Sequence, residues 1–206
     1  MPLASSAARV TPLGLNAPGG YVRLVPITPD TKNWTWVLDE VCPECGFDAD
    51  AVELRAMGSL VRSNAAEWPA LLGHARVRDR PSDDQWSALE YSCHVRDVFT
   101  LFDERLRRML AEDGPQFENW DQDVTAVDQR YDRQDPDVVA IELTAAGEAC
   151  ATRWDSVGGS DRGRTGDRSD GSSFTVATLA RYFLHDPVHH LADVRAGYAR
   201  LDSQTD

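Results

Sequence analysis

Apolar residues recur every three or four positions over four stretches of this chain. From Asp48, the residues Leu54, Met57, Val61, Ala65, Trp68 and Leu72 form one stripe behind an Asp-rich start that suits the positive end of a helix. A second stripe runs Tyr91, His94, Val95, Val98, Phe102, Leu106 and Met109, with Pro81-Ser82-Asp83-Asp84 supplying capping chemistry before it and Gly114-Pro115 closing it. After Pro136 the period returns in Val139, Leu143, Ala146, Cys150 and Trp154. The last stripe begins near Phe174 and runs Val176, Leu179 or Ala180, Phe183, Val188, Leu191 and Val194. With no clear strand hairpin between them, these stretches predict an all-α, up-and-down four-helix bundle.

The intervening segments read differently. Residues 1–20 mix Ala, Ser, Pro and Gly without a period and predict a tail, and the next segment, broken by Pro26 and Pro29, predicts an irregular arm. The expected division is an N-terminal tail and CxxC arm over 1–47 and the bundle over 48–200. The run QFENWDQDVTAVDQRYDRQDPD has no clean period, and Asn119-Trp120-Asp121-Gln122-Asp123 within it reads better as an exposed acidic loop than as a lining of the bundle's mouth. Residues 156–173 are almost wholly Gly, Ser, Asp, Arg and Thr and predict a flexible surface loop. Arg162, Arg164 and Arg168 interleave with Asp161, Asp167 and Asp170, so solvation is preferred over an anion clamp.

Composition narrows the function classes. The 206 residues are 42% hydrophobic, enough for one buried core. A formal charge of −13 repels phosphate backbones and anionic membranes, so neither nucleic acid nor a membrane is an expected partner. No stretch approaches the roughly 18 apolar residues of a membrane span, and a cytoplasmic location is expected. Lys32 is the only lysine among 21 basic residues, a bias expected of a GC-rich, actinobacterial genome. Cys42 and Cys45 form a close pair that reads as a plain turn with buried thiols, as metal ligands or as a redox pair, while Cys93 and Cys150 stand alone.

Three of the five histidines crowd into HDPVHH. His185 and His189, four apart on a helix, share a face and can offer imidazoles to one ion, whereas His190 points about 100° away. His94 lies in the second stripe, and with the pair it would complete a three-nitrogen site with open positions. The plainer alternatives stand beside this: a single histidine on an apolar face is commonly a core residue, and an i, i+4 pair also arises by chance. Pro187, between the pair, is expected to bend or loosen that turn by clashing with the carbonyl of Phe183.

The combination of WSALEYSCHVRDV and FTVATLARYFLHDPVHHLADV resembles the DinB-like superfamily of thiol-dependent transferases, over roughly residues 50–198. That resemblance implies a DinB-like bundle with His94, His185 and His189 as metal ligands. It implies a divalent ion, zinc first and nickel, iron or manganese next, and S-transfer or isomerisation with a low-molecular-weight thiol such as mycothiol. A coordinated thiol has a lowered pKa and is held as the nucleophilic thiolate. A small-molecule substrate or thiol is the expected partner, with a homodimer allowed. A non-catalytic metal-binding bundle and a metal-dependent hydrolase are the alternatives, and no catalytic side chain is singled out.

Overall fold

The computed structural model describes Ile27 and residues 32–204, so the expected tail and the break at Pro26 and Pro29 lie outside the described residues. The first helical stretch is segmented: 3-10 turns at Ala49–Ala51 and Leu54–Ala56 lead into α1 (Met57–Ala65) and α2 (Trp68–Leu72). The break falls before Pro69, which has no N–H to donate and whose ring crowds the carbonyl four residues earlier, on Ala65.

α3 (Ala88–Ala111) is capped at Ser87, whose hydroxyl accepts from the Glu90 N–H while the Glu90 carboxylate accepts from the Ser87 N–H. The expected caps at Pro81–Asp84 instead form a turn ahead of the helix, with a bridge from Ser82 to Gln85. A short α4 (Gln122–Asp128), capped by Asp121, occupies the stretch that shows no period. α5 (Pro136–Asp155) starts at an Asp135 cap with Pro136 in the first turn, where a missing N–H costs nothing. α6 (Val176–Ser203) starts at a Thr175 cap and runs unbroken through Pro187, whose carbonyl accepts from Asn64 Nδ2 at 2.9 Å.

The first leg together with α3, α5 and α6 makes the predicted four-helix bundle, with α3 lying along α5 and α6 and α1 along α5. At its centre Trp154 stacks on Phe183, and Phe99 and Phe102 pack against the same ring. Gly147 of α5 lets α1 approach: a Cβ there would sit 2.6 Å from the Ala65 methyl.

One addition goes beyond an all-helical reading. Residues 156–173, expected as a flexible loop, instead wind into a 3-10 turn at Gly159–Gly163 and then pair in a small sheet. Its strands are β1 (Gln116–Phe117), β2 (Thr165–Arg168) and β3 (Ser173–Thr175), with β1 parallel and β3 antiparallel to β2. The strands are too short and polar to show an alternating pattern, and tertiary contact holds them. Phe117 covers Gly166, where a Cβ would lie 2.6 Å from the ring. Among the described residues, no helix is long and apolar enough to cross a membrane.

Candidate metal centre

The structure divides the expected trio between two groups. His94 meets Asp186 and His190, while His185 and His189 meet Cys42 and Cys45, and in each group the ligand atoms lie within 4.8 Å of one another. The helix explains the division. Positions 185 and 189 share one face, and 186 and 190 share the next face, about 100° round. The Asp186–His190 spacing equals that of the histidine pair. It is legible in HDPVHH only when carboxylates are counted as ligands alongside imidazoles.

In the first group, His94 Nε2 lies 3.3 Å from each carboxylate oxygen of Asp186, and His190 Nε2 lies 3.8 Å from Oδ1. The other ring nitrogen of His190 is 3.0 Å from Asp193 Oδ2, which fixes the imidazole's orientation. His94 is fully buried, stacked on Trp120 at 5.2 Å and flanked by Trp86 at 5.4 Å. Its Nδ1 is buried without a hydrogen bond to any described residue, and Nε2 is the atom turned to the group. Burial by itself would raise the Asp186 carboxyl, but the imidazoles of His94 and His190 hold it below the usual carboxylate range. Two imidazole nitrogens and one anionic oxygen, with an outer carboxylate orienting a ring, suit a divalent ion held by three protein ligands.

This group borders a cavity of about 980 Å3 that Asp186, His190 and Asp193 line from α6, as do His185 and His189 of the second group. The Asn119–Asp123 segment also lines it, contrary to its expected exposure. Deeper, Arg105 is buried, donates to the Glu118 carbonyl at 3.0 Å, and has no carboxylate within ion-pair distance among the described residues. Burial first, and then the neighbouring Arg168, push its guanidinium down to about 10, still cationic at neutral pH. Arg168 is not solvated as expected but turned into the same cavity, paired with Asp170 at 2.8 Å and donating to the Tyr182 hydroxyl at 3.0 Å. Arg105 carries no motif in the sequence, since it reads as the polar edge of an amphipathic helix.

In the second group Cys42 is fully buried, Cys45 is half-buried, and Cys42 Sγ lies 3.7 Å from His189 Nδ1. Trp34 covers both rings, at 5.4 Å from His185 and 5.2 Å from His189, and Phe47 covers His185 from another side. His185 is pushed down to about 4 by burial and then by His189, and burial also lowers His189, so both rings are neutral and have lone pairs to give at pH 7.

No family model and no curated protein matches this sequence. Among solved structures, the chain matches YfiT from Bacillus subtilis, described as "a probable metal-dependent hydrolase with an unusual four-helix bundle topology". The TM-score is 0.63 at 15% identity, over 87% of this chain and 97% of that one. A likeness at that identity speaks to the fold. The chain thus shares a four-helix-bundle fold with that structure.

Proposed function

We propose that this protein is a metal-dependent enzyme whose ion is held by His94, Asp186 and His190 beside the cavity, and that it transfers a small thiol to an anionic acceptor. The observation that carries this reading is that Asp186 and His190, beside the buried His94, line one cavity with a buried arginine that has no carboxylate within ion-pair distance among the described residues. A divalent ion at such a site supplies a Lewis acid that lowers the pKa of a bound thiol or water and makes it a nucleophile at neutral pH.

The protein's own residues do the rest. Asp193 fixes the tautomer of His190, and the Trp86 and Trp120 rings close off His94 from water. Arg105 and Arg168 offer fork-shaped donors that orient a carboxylate or similar anion. A cavity of about 980 Å3 admits a low-molecular-weight thiol together with its acceptor. Hydrolysis, with water in place of the thiol, is the second reading, and the likeness to YfiT favours it.

The test uses cobalt-substituted protein with its cysteines intact and reads the difference spectrum on adding a thiol, so that any band from the protein's own sulfur is subtracted. Mycothiol should produce a thiolate-to-metal charge-transfer band, and Asp186→Ala should abolish it. A spectrum that responds to small anions but not to thiols would replace S-transfer by hydrolysis. A spectrum indifferent to both would mean a closed shell and end the enzymatic reading.

A further inference from the structure

We infer that Cys42, Cys45, His185 and His189 form a second, structural zinc site that clamps the N-terminal arm onto α6. This site shares no ligand with the ion proposed for His94, Asp186 and His190, and Asp193 Oδ2, 3.0 Å from His190 Nδ1 and 3.6 Å from His189 Nε2, stands between the two.

The loop is wound for the purpose. The Gly46 N–H donates to the Cys42 carbonyl at 2.8 Å, and the Cys42 N–H donates to the Phe47 carbonyl at 2.9 Å. Gly46 has φ +75°, a left-handed conformation that residues with a side chain adopt at a cost, and it closes the Cys-Pro-Glu-Cys turn tightly. With the chain so folded, both sulfurs reach the α6 face on which the four-residue spacing stacks His185 and His189.

The distances suit tetrahedral zinc. Zn–S bonds of about 2.3 Å and Zn–N bonds of about 2.0–2.1 Å put neighbouring ligand atoms about 3.3–3.8 Å apart. Cys42 Sγ and His189 Nδ1 are already 3.7 Å apart, and all four donors fall within 4.8 Å. His185 gives independent support: it is 4% exposed, and its Nε2 is buried with no hydrogen-bond partner among the described residues. A buried polar nitrogen left in that state costs about 1–3 kcal/mol unless something coordinates it.

The donor set also explains why the site would be closed. Two thiolates and two neutral imidazoles complete the usual four ligands and neutralise the charge of a divalent ion inside the protein. Trp34 and Phe47 then roof the site. The consequence reaches the cavity, because Trp34 and Glu44, on either side of Cys42, both line its wall. The arm's ion would therefore build part of the cavity wall, which its ligands His185 and His189 also line.

The experiment counts metal and identifies sulfur ligation separately. Wild-type protein should carry two equivalents of divalent metal by elemental analysis, falling to one in Cys45→Ser and, independently, to one in Asp186→Ala. Cobalt-substituted wild type should show intense tetrahedral d–d bands with a sulfur charge-transfer band, without added thiol, that persist in Asp186→Ala and vanish in Cys45→Ser. A metal count unchanged by Cys45→Ser would overturn the proposal, as would a cobalt spectrum with no cysteine-dependent band. Should Cys45→Ser fail to fold, an organomercurial titration of the intact wild type decides. Blocking the thiols should release one equivalent of zinc, and release of none, or isolation of Cys42 and Cys45 as a disulfide without metal, overturns the site.

Discussion

Asp186 and His185 are adjacent in the chain yet fall in different clusters of candidate metal ligands, and single residues carry much of what separates the two clusters. Asp186→Asn keeps the size of the side chain but removes the anion between His94 and His190, so it should lower metal affinity at that site by more than the about 10–100-fold that loss of an outer hydrogen-bond partner of a ligand costs. Competition with a chromophoric chelator measures this, and unchanged affinity would remove Asp186 from the ligand set. Arg105→Met should raise KM for an anionic acceptor far more than it lowers kcat, because the lost donors orient the substrate and do not meet the reacting bond. Cys93 and Cys150 are pushed up to about 12 by burial, so both should resist alkylation at pH 8 in the folded protein and react only after denaturation. Mass spectrometry of protein treated with iodoacetamide reports this directly.

The helices are placed by their ends as much as by their stripes. Ser87 lies seven residues, about two turns, before His94, so the capping box that starts α3 also sets the rotation at which His94 enters the core. Ser87→Ala should cost about 1–2 kcal/mol in chemical denaturation, because the Glu90 N–H loses its acceptor in a buried setting. A loss below a few tenths would show that the Arg80–Glu90 ion pair holds the helix start unaided. Between helices, Gly147 sets the spacing of α1 and α5. Gly147→Ala forces a methyl against Ala65 and the edge of Phe99, and should destabilise by about 1–3 kcal/mol despite alanine's better helix propensity. A more stable variant would mean that the interface gives way easily.

For the molecule as a whole, the net charge is strongly negative and the cavity lining itself carries more carboxylates than cations, so Arg105 and Arg168 offer an anion point contacts rather than a positive field. Arg168 keeps its place there through Asp170, whose carboxyl the Arg168 guanidinium holds down to about 2. A carboxyl with a folded pKa below its unfolded value, about 3.9, stabilises fully above that value and loses its contribution as pH falls towards 2. Thermal stability should therefore drop between about pH 4 and pH 2, and Asp170→Asn should flatten the slope in that window while lowering stability at pH 7. An acid limb identical in the variant would place the titrating groups elsewhere.

The sequence alone determined the bundle, because a helix buries a stripe of fixed period and that period is written in the order of residues. The stripe from Val139 to Trp154 lies within α5, and the stripe from Val176 to Val194 within α6. It also singled out HDPVHH and His94 as candidate metal ligands, since imidazoles four apart on an inward face are visible without coordinates. Tertiary structure decided how those ligands are shared. Which of two adjacent helical faces meets His94, and which meets the CPECG turn, depends on the rotation of α6 against its neighbours and on where a distant arm docks. Local pattern contains neither quantity. The small sheet and the turn of Arg168 into the cavity are of the same kind: short polar segments have no periodicity to declare them, and only the surfaces they meet give them a structure.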